Sequence, residues 1–140
     1  MLWDPIRCLW VKATPEEKVR QQCIQKMIGA LGFPKSLLAV EKDLSTLPGQ
    51  TSKDRIPNRR LDLLCFTPRK EGLLPLLLIE CKAGSILDAA ERQVLGYNDS
   101  VGAFFVCLVN EQEAKTVWHE KGEIASIPFL PSYAQLVEKL

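Results

Sequence analysis

The chain has 140 residues, 46% of them hydrophobic, a formal net charge of +1 and a pI near 7.6. This length suits one domain with its own core, and the near-neutral balance excludes a globally basic nucleic-acid binder without excluding a local basic patch. Five cysteines, odd in number and with no C-x-x-C pair, argue against a disulfide or zinc framework, and Cys65, Cys81 and Cys107 sit in apolar runs as small buried hydrophobes suited to a reducing, cytoplasmic setting.

Residues 1–13, with Trp3 and Trp10, are predicted to strap the body as an extended segment; Asp4, Arg7 and Lys12 leave no signal-peptide core there. A helix is predicted from Thr14, because Thr14-Pro15-Glu16-Glu17 combines an N-cap, a first-turn proline and a capping-box glutamate. Val19, Cys23, Met27 and Leu31 recur at helical spacing, and Gly32 ends the run. Leu37 to Asp43 reads as a strand. Residues 45–60, with Pro48, Gly49, Ser52, Pro57 and Asn58, read as a loop. Leu61 to Phe66 and Leu76 to Lys82 are predicted strands around a turn at Thr67-Pro68-Arg69-Lys70-Glu71-Gly72. Residues 87–98 read as a helix with Ala89, Ala90, Val94 and Leu95 inward, and Ala103 to Val109 as a further buried strand. The tail is predicted to hold a short helix or strand near Lys115 to His119, a strand near Ile124 to Ile127, and a helix from Pro131 or Ser132. The reading is one domain over 1–140: a strap (1–13), a core (14–110) and a C-terminal extension (111–140). The core order αβββαβ makes it an α/β layered domain, with a central mixed sheet of four to five strands flanked by helices.

The residues that carry chemistry close an apolar run. Leu73 to Lys82 reads as a strand buried on both faces, interrupted by Pro75 and too short for a membrane span, yet it ends in Glu80-Cys81-Lys82. Alternation puts Glu80 and Lys82 on one face. If Phe66 pairs near Leu76, Asp62 falls opposite Glu80, and opposed residues have Cβ atoms about 4.5–5.5 Å apart. Two buried carboxylates that close require positive charge between them, which a divalent cation and Lys82 supply. Asp, then Glu-x-Lys, is the pattern of a metal-dependent nuclease. The bland alternative is a strand end in which Glu80 pairs with Lys82, and Asp62 with Arg59 or Arg60.

Five segments in order carry a resemblance. Thr14-Pro15-Glu16-Glu17-Lys18-Val19-Arg20-Gln21, Gly32-Phe33-Pro34-Lys35-Ser36-Leu37-Leu38-Ala39-Val40-Glu41-Lys42, Arg59-Arg60-Leu61-Asp62, Leu78-Ile79-Glu80-Cys81-Lys82-Ala83 and Gln93-Val94-Leu95-Gly96-Tyr97-Asn98 together resemble the N-terminal nuclease domain of type I restriction enzyme R subunits and its small stand-alone relatives. The resemblance implies the PD-(D/E)xK, restriction-endonuclease-like fold and a phosphodiesterase site using Mg²⁺ or Mn²⁺ on DNA. It implies Asp62 and Glu80 as metal ligands with the Cys81 carbonyl, Lys82 acting on the attacking water, and Gln93 and Tyr97 positioning water or substrate. Glu17 would extend the metal site through water, with Glu16 as substitute; capping explains Glu17 equally. The sequence departs from the family pattern at Gly84, where proline is usual, and at Val109-Asn110-Glu111, where Thr-Asn-Gly is usual. The family's helicase motor is not among these residues, so translocation along DNA is not expected.

Lys53, Arg55, Arg59, Arg60, Arg69 and Lys70 are candidates for phosphate contact, against the alternative of a solvated face. Glu41 reads either as an acid supporting the site or as a surface acid, and His119 as structural or exposed. The competing functions are a DNA-hydrolysing enzyme, a nucleic-acid-binding or regulatory protein that kept the fold, and a subunit needing a partner or a second copy for activity.

Overall fold

A computed structural model describes residues 1–43, 60–85 and 88–140. The chain begins with a two-stranded ribbon, β1 (Leu2–Asp4) and β2 (Leu9–Val11), in which Trp3 stands opposite Trp10. The first helix, α1 (Pro15–Gly29), starts where expected: Thr14 accepts the Glu17 N–H at 3.1 Å and Pro15 occupies the first turn. It ends a little earlier than the apolar spacing suggests, and Gly32 takes φ +68°, a left-handed conformation that glycine tolerates.

The six strands that follow form one sheet in sequence order. They are β3 (Leu38–Asp43), β4 (Arg60–Arg69), β5 (Gly72–Cys81), β6 (Phe105–Val109), β7 (Ala114–Glu120) and β8 (Glu123–Ile127). Between β5 and β6 lies α2 (Asp88–Val101), and α3 (Tyr133–Glu138) closes the chain behind a Ser132–Gln135 capping box. All pairings are antiparallel except β5 with β6, the pair joined through α2, as a parallel crossover requires. No helix among the described residues is long and apolar enough to cross a membrane.

The α/β class is as read from the sequence, but the sheet has six strands rather than four to five. The element order also runs past αβββαβ, with a ribbon before it and ββα after it. The extra strands come from the tail. Lys121 and Gly122 both have positive φ (+52° and +81°), joining β7 to β8 in a two-residue turn whose twist matches the flanking strands. This hairpin adds to β6 as a continuation of the sheet.

Two apolar layers cover the sheet. On one face Val19, Cys23, Ile24 and Met27 of α1 pack with Leu63, Cys65, Leu77, Ile79, Cys81 and Leu136. On the other, Val94 and Val101 of α2 pack with Leu61, Leu64, Leu78, Val106 and Leu108. Each fully buried leucine or isoleucine contributes about 1.5–3 kcal/mol, so the central strands, buried on both faces, anchor the fold. The register shifts between Cys65 and Phe66: Phe66 faces Pro75 while Cys65 faces Leu77, leaving Leu76 as the extra residue of a β-bulge. Leu76 and Leu77 consequently enter the same layer.

Candidate active site

Beyond the bulge Leu63 pairs with Ile79, and Asp62 and Glu80 are the next residues on the two strands, just past the end of the paired ladder. The expected Phe66–Leu76 pairing is not formed; the bulge replaces it and gives the Leu63–Ile79 register. Ile79 and Cys81 both belong to the α1-side layer, so alternation turns Glu80 toward the α2 side. Glu80 is 5% exposed. Lys82 follows on the same parity, its Nζ 3.7 Å from Glu80 Oε1.

Asp62 departs from regular alternation. The β3–β4 ladder passes from Val40–Leu63 to Lys42–Leu61, omitting the Glu41–Asp62 step, and Glu41 has φ +53°. A left-handed conformation at a glutamate costs energy and persists only where its surroundings hold it. Leu61 joins the α2-side layer while Leu63 joins the α1-side layer, so the strand turns locally at Asp62. The carboxylate is held at two points: Oδ2 accepts the Cys81 backbone N–H at 2.8 Å, and Oδ1 accepts Arg20 Nη2 at 3.0 Å.

Arg20, 6% exposed, is the centre of a charged cluster. Its Nη1 donates to Glu17 Oε1 and to Glu41 Oε1, both at 3.1 Å. Arg7 meets the same two acids, Nη2 at the same Glu17 Oε1 at 3.0 Å and Nη1 at the other Glu41 oxygen, Oε2, at 3.2 Å. Arg7 Nε in turn pairs with buried Asp4 at 2.6 Å. Burial acts against the charge on Arg20, but Asp62 and Glu17, with Glu41, outweigh it and raise its pKa. Among the described residues the two arginines face four carboxylates. Arg20 Nε and Gln21 Oε1 are buried without a hydrogen-bond partner among the described residues.

Glu17 both caps α1 through its N–H and serves this cluster through its carboxylate, which also accepts Gln21 Nε2 at 3.1 Å. Arg20 bonds Glu17, Glu41 and Asp62. Glu41 joins the cluster through Arg7 and Arg20 while its side chain stays 39% exposed, features of both of its sequence readings. Gln93 is exposed on α2, and Tyr97 lies one turn further along that helix. Arg60 opens β4; Lys53, Arg55 and Arg59 lie outside the described residues. Arg69 and Lys70 sit at the β4–β5 turn, the end of the hairpin away from Asp62 and Glu80. His119 is exposed in β7. The rim after Lys82 is clamped by Asn110: its Nδ2 donates to the Gly84 carbonyl at 2.6 Å, and its Oδ1 accepts from the Gln112 and Glu113 backbone.

Sequence reasoning missed the pairing of Arg20 and Arg7 with the acids of this cluster. Arg20 stands between Val19 and Gln21 and is buried with both. An arginine inside a buried helix face is the signal that was available, since such a charge requires partners.

The chemistry of the candidate donors suits a hard cation: two carboxylates on neighbouring strands and the Cys81 carbonyl would all be oxygen ligands. Among the described residues no three His, Cys, Asp or Glu side chains converge as a cage. Mg²⁺ commonly takes one or two carboxylates and keeps several waters, so these residues fit such an ion. Carboxylate oxygens accept more than one bond, and Asp62 retains acceptor capacity beyond Arg20 and the Cys81 N–H.

An α/β sheet with two acids and a lysine at one end of two central strands is the arrangement this domain presents. The chain belongs to the family described as type I restriction enzyme R protein N terminus (HSDR_N), which matches residues 15–131. No curated protein and no solved structure matches it.

Proposed function

We propose that the domain has the PD-(D/E)xK fold and hydrolyses DNA phosphodiester bonds with Mg²⁺ or Mn²⁺. The observation that carries this is that Asp62, bonded to the Cys81 N–H, and Glu80 follow directly on the Leu63–Ile79 pair of β4 and β5, with Lys82 two residues beyond Glu80 and 3.7 Å from it. Asp62, Glu80 and the Cys81 carbonyl would hold the cation; when bound it would polarise the phosphodiester and lower the pKa of a water. Lys82 orients or deprotonates that water, or stabilises the charge developing on phosphorus. Gln93, on the helix over the Glu80 face, positions water, and Tyr97 with Arg55, Arg59 and Arg60 contacts substrate. Family membership supports DNA as the partner.

A second reading has its own support. Arg20 already neutralises Asp62 at 3.0 Å, which favours a nucleic-acid-binding or regulatory protein with weak turnover, or a subunit that a partner or second copy activates. Plasmid and oligonucleotide cleavage with Mg²⁺ or Mn²⁺, beside Lys82→Ala, separates the readings. The enzyme reading expects cutting by wild type and its loss in Lys82→Ala. Equal DNA binding by both proteins, with no cutting by either in any divalent metal, supports the binding reading.

A further inference from the structure

We infer that Arg7 is a positioning residue for Asp62, acting through Glu17, Glu41 and Arg20. The segment preceding the family-matched residues 15–131 thereby sets the geometry of the candidate site. Arg7 lies between the two ribbon strands and is fixed at its root. Asp4 Oδ1 accepts the backbone N–H groups of Ile6 at 2.8 Å and Arg7 at 3.0 Å, while Asp4 Oδ2 takes Arg7 Nε. So anchored, the remaining two nitrogens of the guanidinium reach Glu17 and Glu41. Arg20 Nη1 shares Glu17 Oε1 with Arg7 and takes the other oxygen of Glu41, which leaves Nη2 for Asp62.

Each of Glu17 and Glu41 therefore bridges two guanidiniums, and this bridging is what Arg7 adds. Without it, Glu17, Glu41 and Asp62 would crowd one arginine. Glu41, whose side chain is 39% exposed, is the acid free to swing toward water. Arg20 would then lose a fixed partner on Nη1 and its orientation toward Asp62 Oδ1. A planar fork is needed at position 7, because an ammonium is a point charge and cannot present three nitrogens to three carboxylates in one plane.

The Cys81 amide reads the result, since it donates to Asp62 Oδ2 at 2.8 Å. Hydrogen exchange at this amide needs neither metal nor nucleic acid. In the metal-free chain, Arg7→Gln is expected to raise Cys81 exchange about tenfold relative to the Leu77 and Leu78 amides, the scale of losing one charge-assisted contact. Normalising to those central amides removes any general loss of stability. Arg20→Gln should raise the ratio at least as far, the double variant no further than Arg20→Gln, and Arg7→Lys should resemble Arg7→Gln. An unchanged ratio in Arg7→Gln, with a raised one in Arg20→Gln, would show that Arg7 only pins the ribbon and would overturn the inference. An unchanged ratio in both also overturns it. The consequence for cation binding rests on the proposed function: where Mn²⁺ broadens the Cys81 resonance in wild type, Arg7→Gln should need several-fold more Mn²⁺ for the same broadening. No broadening in wild type counts against the metal reading alone, with the exchange ratio still deciding the role of Arg7.

Discussion

Arg20 and Asp62, 42 residues apart in sequence, meet at 3.0 Å, and the other terminal nitrogen of the same guanidinium joins α1 to β3 through Glu17 and Glu41. Truncating one member of a buried ionic cluster leaves its partners charged and unpaired, at a cost of about 3–5 kcal/mol. Arg20→Ala is therefore expected to lower the unfolding free energy by that amount, read as a lower urea midpoint with the slope unchanged. Surface Lys18→Ala on the same helix should change stability by less than about 0.5 kcal/mol. Equal midpoints for the two variants would mean that the cluster contributes no net stability.

The cation reading predicts a ligand-dependent melt. A ligand that binds only the folded state adds about 1.4 kcal/mol at ten times its Kd, which is a rise of a few degrees for a domain of this size. Wild type should show that rise in Mn²⁺, and Asp62→Asn and Glu80→Gln should lose most of it. An equal rise in Asp62→Asn would place the ion elsewhere.

Acid should act on the ribbon through Asp4. Burial pushes its carboxyl pKa up, but the backbone and side-chain hydrogen bonds from Arg7 outweigh this and hold it below 3.8. A folded-state pKa below the unfolded one means that the unfolded chain binds the extra proton. The stabilisation is present above about pH 4 and is lost as pH falls through the folded value. Denaturant midpoints should therefore fall below about pH 4 in wild type, and Asp4→Asn should start lower at neutral pH and fall less over that window. Parallel acid limbs would show that Asp4 is not the titrating group.

The cysteines give a sharp labelling result. Cys8 is exposed, whereas Cys23, Cys65, Cys81 and Cys107 are buried. Burial pushes the Cys65 and Cys107 thiols up to about 12. A hydrogen bond with Cys23, together with burial, raises Cys81 further. The thiolate is the reactive form, so iodoacetamide at about pH 8 should modify Cys8 quickly, and the other four only after unfolding. Mass spectrometry showing rapid modification of Cys81 in native protein would contradict the packing of β5 against α1.

The sequence made the framework legible because its signals were local. Thr14 with Pro15 marks the start of α1, and Ser132 marks that of α3. The apolar runs at Leu61, Leu76 and Phe105 became central strands. The antiparallel hairpin that leads toward Asp62 and Glu80 was also legible, although its register, set through an unpaired Leu76, was not. What the pattern hid depends on long-range pairing. Arg20 reads as one more charge on an amphipathic helix until β3 and β4 bring Glu41 and Asp62 to it. The β7–β8 hairpin was half visible: its strands were suggested separately, and the positive φ of Lys121 and Gly122 that joins them is a backbone property that a Lys-Gly pair only permits.

The leucine run of β5 carries a further consequence. Leu76, Leu77 and Leu78 are chemically identical and all fully buried, so sliding this strand by one residue would exchange leucine for leucine with little change in burial. Hydrophobicity alone gives such a segment no memory of its register. The first residues that cannot slide are Glu80 and Lys82, because a shift would drive a charge into an apolar layer. The acid and the lysine thus serve as the index mark by which the chain finds its alignment, and replacing Glu80 with leucine would remove the mark as well as the carboxylate.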